Sequence, residues 1–266
     1  MQPLCQEVGA LSLEAHAGVP VLTFPGLAGS GVVAHAIRTR LGGVSLPPFD
    51  SLNVSVIGGD DPVAVEANTT RARAAAGMPA ARDVACRQVG GNGAARVDKS
   101  YSGDAICADA LATSEPGFLL SMAFGDCLPI IIADTRVPAV ALVHAGWRGS
   151  VAGVALRAWE TLAALGARPE TTTAYLGPAI GPCCYQVGED VARQARGLGH
   201  CGENSLAHRS GVTYLDLASL NAGLLATAGV ASVRSGVCTS CRHDLFFSHR
   251  ADRGRTGRFA VYVGLA

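Results

Sequence analysis

Three short apolar runs frame the chain. Residues 118–124, 128–134 and 139–143 are dominated by Leu, Ile, Val, Ala and Phe and are too short for buried helices, which predicts three strands buried on both faces. Polar breaks separate them: Gly125-Asp126-Cys127 after the first and Thr135-Arg136-Val137-Pro138 after the second. Beyond residue 143 the chain runs through His144-Ala145-Gly146-Trp147-Arg148-Gly149-Ser150, and apolar residues then recur at helical spacing over 151–165. Pro62 stands where a helix over 63–76 begins. Residues 188–197 and 215–228 are helical by period, whereas 32–40, 230–237 and 259–263 are strand-like and 3–25 alternates as strands. Residues 87–97, with Gly90, Gly91 and Gly93, read as a flexible segment, and 100–109 as a polar connection. There is no internal repeat, low-complexity tract or long linker, so residues 1–266 are expected to form one mixed α/β domain.

Composition narrows the function classes. With 49% hydrophobic and 16% charged residues in 266, the chain has the makings of a well-buried core. Its 21 basic and 21 acidic residues cancel, which argues against nucleic acid or anionic membranes and for a small, locally recognised ligand. The first residues lack the basic start and apolar core of a signal peptide, and no run reaches the roughly 18 to 20 apolar residues of a membrane span. A cytoplasmic location is expected. The nine cysteines, at 5, 86, 107, 127, 183, 184, 201, 238 and 241, are odd in number and irregular in spacing, as expected of reduced thiols. Cys238-Thr-Ser-Cys241 is a C-x-x-C without a second pair, only half of a four-ligand zinc site. The adjacent Cys183 and Cys184 read as small buried residues. Nothing in the sequence signals an oligomeric state.

The candidate chemistry lies at the ends of the central runs. Cys127 and His144 are 17 residues apart and border adjoining predicted strands, where their side chains can converge. Thiolate plus imidazole serves as a zinc-ligand pair or as a nucleophile with its base. Cys127 is expected to be a reactive, functional thiol with His144 as its partner, and Asp126 to handle a proton. Arg148 at a predicted helix start suits a phosphate or carboxylate. The same Gly-rich turn also reads as a tight connection with steric glycines and a solvated Arg.

Longer motifs carry a resemblance. Gly125-Asp126-Cys127-Leu128-Pro129, the His144–Gly149 turn and Gly177-Pro178-Ala179-Ile180-Gly181-Pro182-Cys183-Cys184-Tyr185-Gln186-Val187-Gly188 are similar to the YfiH, or laccase-domain, family. The likeness continues through residues 35–45, Ser51-Leu52-Asn53, Gly59-Asp60-Asp61-Pro62, Asn68, Asp109-Ala110-Leu111 and 248–258. It implies a layered α/β sandwich with helices outside two mixed sheets, a fold that also resembles the metal-free Cys–His catalytic domain of deamidating cytotoxic necrotizing toxins. It further implies phosphorolysis of adenosine, inosine and methylthioadenosine, or adenosine deamination, with nucleoside and phosphate as partners. Arg40, Ser51 and Asn53 become candidate substrate or phosphate contacts.

The family's zinc site takes the His of a Gln-x-His-Gly motif, the Cys of Ala-Asp-Cys and the His of His-Ala-Gly-Trp-Arg. This chain has Gln88-Val89-Gly90-Gly91 at the first, so Cys127 and His144 match two ligands and Gly90 replaces the third. Zinc is therefore expected to be weak or absent, with His35 or Cys86 as the replacement ligands to examine, and Gly90, beside Gln88, is expected to enlarge the substrate pocket. The leading expectation is a purine nucleoside phosphorylase or deaminase acting through Cys127, His144, Asp126 and Arg148. The alternatives are a diverged enzyme of specialised metabolism, a cyclase or hydrolase using Cys127 and His144 without tightly bound zinc, and a non-catalytic ligand-binding protein. Seven His residues with no His-x-His pair argue against a multicopper centre.

Overall fold

The three apolar runs form strands Phe118–Phe124, Leu128–Asp134 and Ala139–Ala145, almost every residue of which is buried. The computed structural model describes residues 6–16 and 18–266. Residues 3–5 of the predicted N-terminal strands, Cys5 among them, lie outside the described residues.

Two large mixed sheets result. The six-stranded sheet runs Ala231–Arg234, Thr172–Leu176, Leu128–Asp134, Ala139–Ala145, Ala110–Thr113, Ala94–Arg96, with antiparallel pairs in the middle and a parallel pair at each edge. The eight-stranded sheet runs Gln6–Val8, Leu11–His16, Val19–Thr23, Val33–Arg38, Phe259–Leu265, Phe118–Phe124, Arg82–Arg87, Ile106–Cys107. A small third sheet, Gln186–Val187, Val212–Leu215 and Leu206–Arg209, stands beside them.

The period of two along each strand distributes side chains to two cores. Ile131, Val140 and Leu142 of the six-stranded sheet pack on Ile37, Leu120, Met122 and Val261 of the eight-stranded one. Their neighbours Ile130, Ile132, Ala141 and Val143 face the other way, onto Trp159, Leu162, Leu220 and Leu225 of helices Val154–Ala164 and Leu217–Thr227. This double burial is why the central strands read as unbroken apolar runs rather than alternating ones. The outer face of the eight-stranded sheet, through Ala36, Leu119, Ala260 and Tyr262, packs on Ala72 and Ala75 at the helix Pro62–Ala74. The architecture is the expected layered α/β sandwich, helices outside two mixed sheets. Each buried Leu, Ile or Phe contributes about 1.5–3 kcal/mol of transfer free energy.

Local signals explain most element borders. Asp61 caps its helix by accepting from the Val63 amide, and Pro62 occupies the first turn as predicted. The helix expected over 151–165 is two, Trp147–Val151 and Val154–Ala164, because Gly153 turns left-handed at φ 79° between them. The segment read as flexible is a tight turn between strands Arg82–Arg87 and Ala94–Arg96. Among the described residues no helix is long and apolar enough to cross a membrane.

Candidate functional site

Strand register brings the two central candidates together. Leu128–Asp134 pairs antiparallel with Ala139–Ala145 so that Pro129 lies opposite His144 and Leu128 opposite Ala145. Cys127, one residue before the strand, therefore meets the turn that leaves its neighbour: a Cβ added to Gly146 would come 3.1 Å from Cys127 Sγ and 4.0 Å from His144 Cε1. The strand ends converge thiol and imidazole as the sequence predicts.

Asp109 completes the arrangement. Its carboxylate is fully buried and accepts from His144 Nδ1 at 2.9 Å, while the His144 amide donates to the Asp109 carbonyl at 2.7 Å. The same carboxylate accepts the amides of Gly91 at 2.7 Å, Gly90 at 3.0 Å and Val89 at 3.3 Å. The glycine-rich turn is thus wound around Asp109, and Gly90 adopts φ 73° to aim its amide there. Burial works against the Asp109 charge, but the His144 hydrogen bond and the Gly91 and Gly90 amides outweigh it and hold the carboxyl below its usual range. Burial likewise opposes a charged His144. The hydrogen bonds to Asp109 and Cys127 and the electrostatic attraction of the site prevail, raising the imidazole from 6.5 to about 9. His144 is an imidazolium at neutral pH, with Phe124 against its ring at 5.6 Å between centroids.

These residues open on a cavity of about 430 Å³, within the size range of small-molecule sites. Cys127 and His144 share it with Trp147, Arg148, Tyr185, His249, Arg250 and Arg258. Arg148 lies over the Trp147 ring at 4.5 Å and Arg250 over Tyr185 at 5.1 Å. Arg258 crosses Gly125, where a Cβ would sit 2.9 Å from Arg258 Cδ. The family's Ala-Asp-Cys has become Gly125-Asp126-Cys127 here, and the glycine gives Arg258 its passage. Burial pulls the Arg258 guanidinium down from its ordinary value, but arginine keeps its charge in such surroundings. Three guanidiniums around an imidazolium make the cavity an anion site.

The other sequence candidates fall into distinct places. Asp126 lines the cavity, but both carboxylate oxygens are engaged, Oδ1 by Thr239 Oγ1 at 2.6 Å and Oδ2 by the Arg250 amide at 2.6 Å. Gln88 pairs its carboxamide with the backbone of Ala123, through bonds of 2.9 and 3.1 Å. Asn53 is fully buried and accepts from the Arg258 amide at 2.8 Å, so it meets the site through Arg258. Arg40 and Ser51 line a different cavity with His243; Arg40 Nε donates to the Asp50 carbonyl at 2.8 Å and its guanidinium lies 4.7 Å from the Phe247 ring centroid.

The cavity lacks the family's full set of zinc ligands. Of the family's three ligand positions Cys127 and His144 remain, Asp109 is spent on the other imidazole nitrogen, and Gly90 offers no donor; His249 also lines the cavity, but among the described residues it does not join them in a group of three close ligand atoms. His35 does not replace the missing ligand: it is buried, accepts the Phe24 amide at 2.8 Å, and burial lowers it to about 4. Cys86 lines another cavity, where burial pushes its thiol up to about 12. A three-ligand zinc site does not fit these residues.

Sequence reasoning missed Asp109, Tyr185, Arg250 and Arg258 as site residues. Asp109-Ala110-Leu111 carried the usable signal, a carboxylate at the mouth of the strand that pairs with the one bearing His144. A second correction concerns cysteines. Cys183 is exposed and Cys184 partly exposed, not a buried pair, and they lie with Cys238 and Cys241, their four sulfurs all within 4.8 Å of one another. The C-x-x-C has its second pair after all, and this four-cysteine cluster could hold a metal ion.

Comparison with known proteins places the whole chain. The family model described as multi-copper polyphenol oxidoreductase laccase matches residues 34–266. A purine nucleoside phosphorylase of Deinococcus radiodurans is 42% identical over 249 residues, covering 93% of this chain and 94% of that protein. The purine nucleoside phosphorylase YfiH of Escherichia coli is 38% identical over 236 residues, 88% of this chain and 94% of that one. The crystal structure of YlmD from Geobacillus stearothermophilus superposes with a TM-score of 0.86 at 34% identity, covering 98% of this chain and 99% of that chain. With the family model, these relatives and the fold in agreement, the chain belongs to the YfiH-like laccase-domain family.

Proposed function

We propose that the protein is a purine nucleoside phosphorylase acting on a nucleoside and phosphate in the cytoplasm. The observation that carries the reading is the cationic cavity closed at one end by an imidazolium that Asp109 and Cys127 hold in one orientation. Its relatives named as purine nucleoside phosphorylases span nine tenths of the chain and support the same substrate class.

In this reading Arg148 and Arg258 hold phosphate against C1′ of the sugar, with the charge-assisted bonds that such oxyanions need. A phosphate oxygen forms the new bond to C1′ as the C1′–N9 bond breaks, and the bonding electrons leave with the purine. His144 donates its Nε2 proton to a purine nitrogen, and the phosphate proton restores the imidazolium, so the products are the free base and the sugar 1-phosphate. A positioned proton donor of this kind supplies typically 10²–10⁴-fold. Cys127 and Asp109 position the ring between them. Asp126 holds the loops of Thr239 and Arg250 around the cavity instead of moving a proton.

The Cys127–His144–Asp109 order also matches a nucleophile, its base and an orienting carboxylate, which favours a cysteine hydrolase as the second reading. The discriminating experiment is a nucleoside panel with and without phosphate. Phosphate-dependent release of base, lost in His144→Ala, supports phosphorolysis. Phosphate-independent turnover with a covalent adduct on Cys127 would replace it with the hydrolase.

A further inference from the structure

The chain carries two cysteine pairs, Cys183-Cys184 and Cys238/Cys241, more than fifty residues apart, on opposite sides of a junction that does not belong to either large sheet. An isolated parallel bridge joins Ala179 to Cys238, and the Thr239 amide donates to the Ala179 carbonyl at 3.0 Å. That junction brings all four Sγ atoms within 4.8 Å of one another, with Cys241 Sγ 3.5 Å from both Cys183 Sγ and Cys184 Sγ.

Those spacings resemble a coordination sphere more than a disulfide. Zinc–thiolate bonds of about 2.3 Å in a tetrahedron put sulfurs roughly 3.8 Å apart, whereas a disulfide needs about 2.0 Å between one chosen pair. Here one sulfur is equidistant from two others, so pairing it with either would leave its neighbour over. The surroundings are those of a thiolate site. The Gly181 amide donates to Cys238 Sγ at 3.2 Å, an outer-shell hydrogen bond of the kind that orients a ligand sulfur. A Cβ at residue 181 would come 3.3 Å from Cys183 Sγ and 3.3 Å from Cys238 Cβ, so glycine keeps the space between the pairs clear.

We propose that Cys183, Cys184, Cys238 and Cys241 form a structural zinc site. Four thiolates saturate a tetrahedral ion and leave no position for water, so the metal has a constructional role rather than a catalytic one. Binding replaces four S–H protons with four Zn–S bonds, and the protons go to solvent. What the ion fastens is the wall of the catalytic cavity. Ile180, beside one pair, donates its amide to the Asp126 carbonyl at 2.9 Å. Thr239, inside the other, donates its hydroxyl to the Asp126 carboxylate at 2.6 Å. Asp126 directly precedes Cys127 and takes a left-handed φ of 84°, a conformation that needs holding from outside. This site is independent of the phosphorylase reading, because it shares no ligand with Cys127 and His144.

Cobalt titration of the reduced Cys127→Ser/His144→Ala double variant tests it with the other thiol–imidazole pair removed. The expected result is a thiolate-to-cobalt charge-transfer band and intense visible bands of tetrahedral S4 cobalt, saturating at one ion per chain and bleached by one equivalent of zinc. Cys241→Ser added to that background should weaken and shift these bands. In the wild-type protein, zinc should slow iodoacetamide labelling of Cys183, Cys184, Cys238 and Cys241 by an order of magnitude or more, read residue by residue by mass spectrometry. This measurement needs no substitution to fold. Weak octahedral cobalt bands alone, or labelling of the four cysteines that zinc leaves unchanged, would overturn the proposal.

Discussion

Replacing Asp109 with Asn removes one charge from the site while keeping its shape. The single amide oxygen of asparagine can keep the Gly90 bond at the Oδ1 position, 3.0 Å away, whereas its NH2 group would face the Gly91 amide that donates to Oδ2 at 2.7 Å, and it no longer balances a positive His144. The imidazole stands at about 9 against an ordinary 6.5, a difference of ~2.5 units or ~3 kcal/mol in favour of the charged ring. Burial opposes that charge, so losing the Asp109 hydrogen bond and Coulombic attraction should lower His144 toward its ordinary 6.5, with Cys127 still holding part of the rise. In the limit of a full return to 6.5 the protonated fraction at about pH 8 falls from about 90% to about 3%, so kcat/KM for phosphorolysis falls by up to roughly 30-fold, recovering as the pH is lowered toward about 5.5. The sign for stability follows from the same shift. A folded imidazole titrating above its unfolded value contributes stability in full below about pH 6.5 and loses it as pH rises to about 9, so wild-type Tm should decline across that window and the variant's should decline less. Proton-coupled nitrogen NMR of the His144 ring reads the titration directly, without reference to turnover. A His144 titration unmoved by Asp109→Asn would refute the electrostatic account of the site.

The remaining expectations address neighbouring residues. Arg148→Ala should weaken phosphate by about 1.5–3 kcal/mol, read as a raised phosphate KM; an unchanged phosphate dependence would make Arg148 an aromatic-stacking residue only. Cys127→Ser and His144→Ala should each abolish turnover with the melting transition retained, and full activity in Cys127→Ser would remove the thiol from the mechanism. Gly90→His should raise zinc affinity in the catalytic cavity, since no atom lies within 4 Å of the new Cβ, at a cost of about 1–2 kcal/mol for a left-handed residue; calorimetric zinc titration beside thermal melts checks both halves.

What the sequence made legible is what depends on local pattern. The strands over 118–124 and 128–134 were readable because both faces are buried, which compresses the apolar residues into runs. Cys127 and His144 were readable because they punctuate those runs. Asp109 was harder to see, since its meeting with His144 depends on the pairing of Ala110–Thr113 with Ala139–Ala145, a long-range event. Arg258 and Arg250 arrive from still farther along the chain. Arg40 looked like a phosphate contact from its motif, yet its guanidinium is committed to Asp50 and Phe247. The four-cysteine cluster escaped notice because each half looks unremarkable alone, and the contacts that join them, such as the Ala179–Cys238 bridge, are long-range.

Strand Phe259–Leu265 occupies the interior of the eight-stranded sheet, hydrogen-bonded to Val33–Arg38 on one side and to Phe118–Phe124 on the other. Both partners are synthesised long before it. A nascent chain therefore leaves the ribosome with two apolar strand edges facing a gap, and the sheet closes only when residues 259–265 emerge. Chaperone occupancy should peak during this interval. Ribosomes stalled before residue 259 should expose protease-sensitive, aggregation-prone intermediates rather than a smaller folded protein.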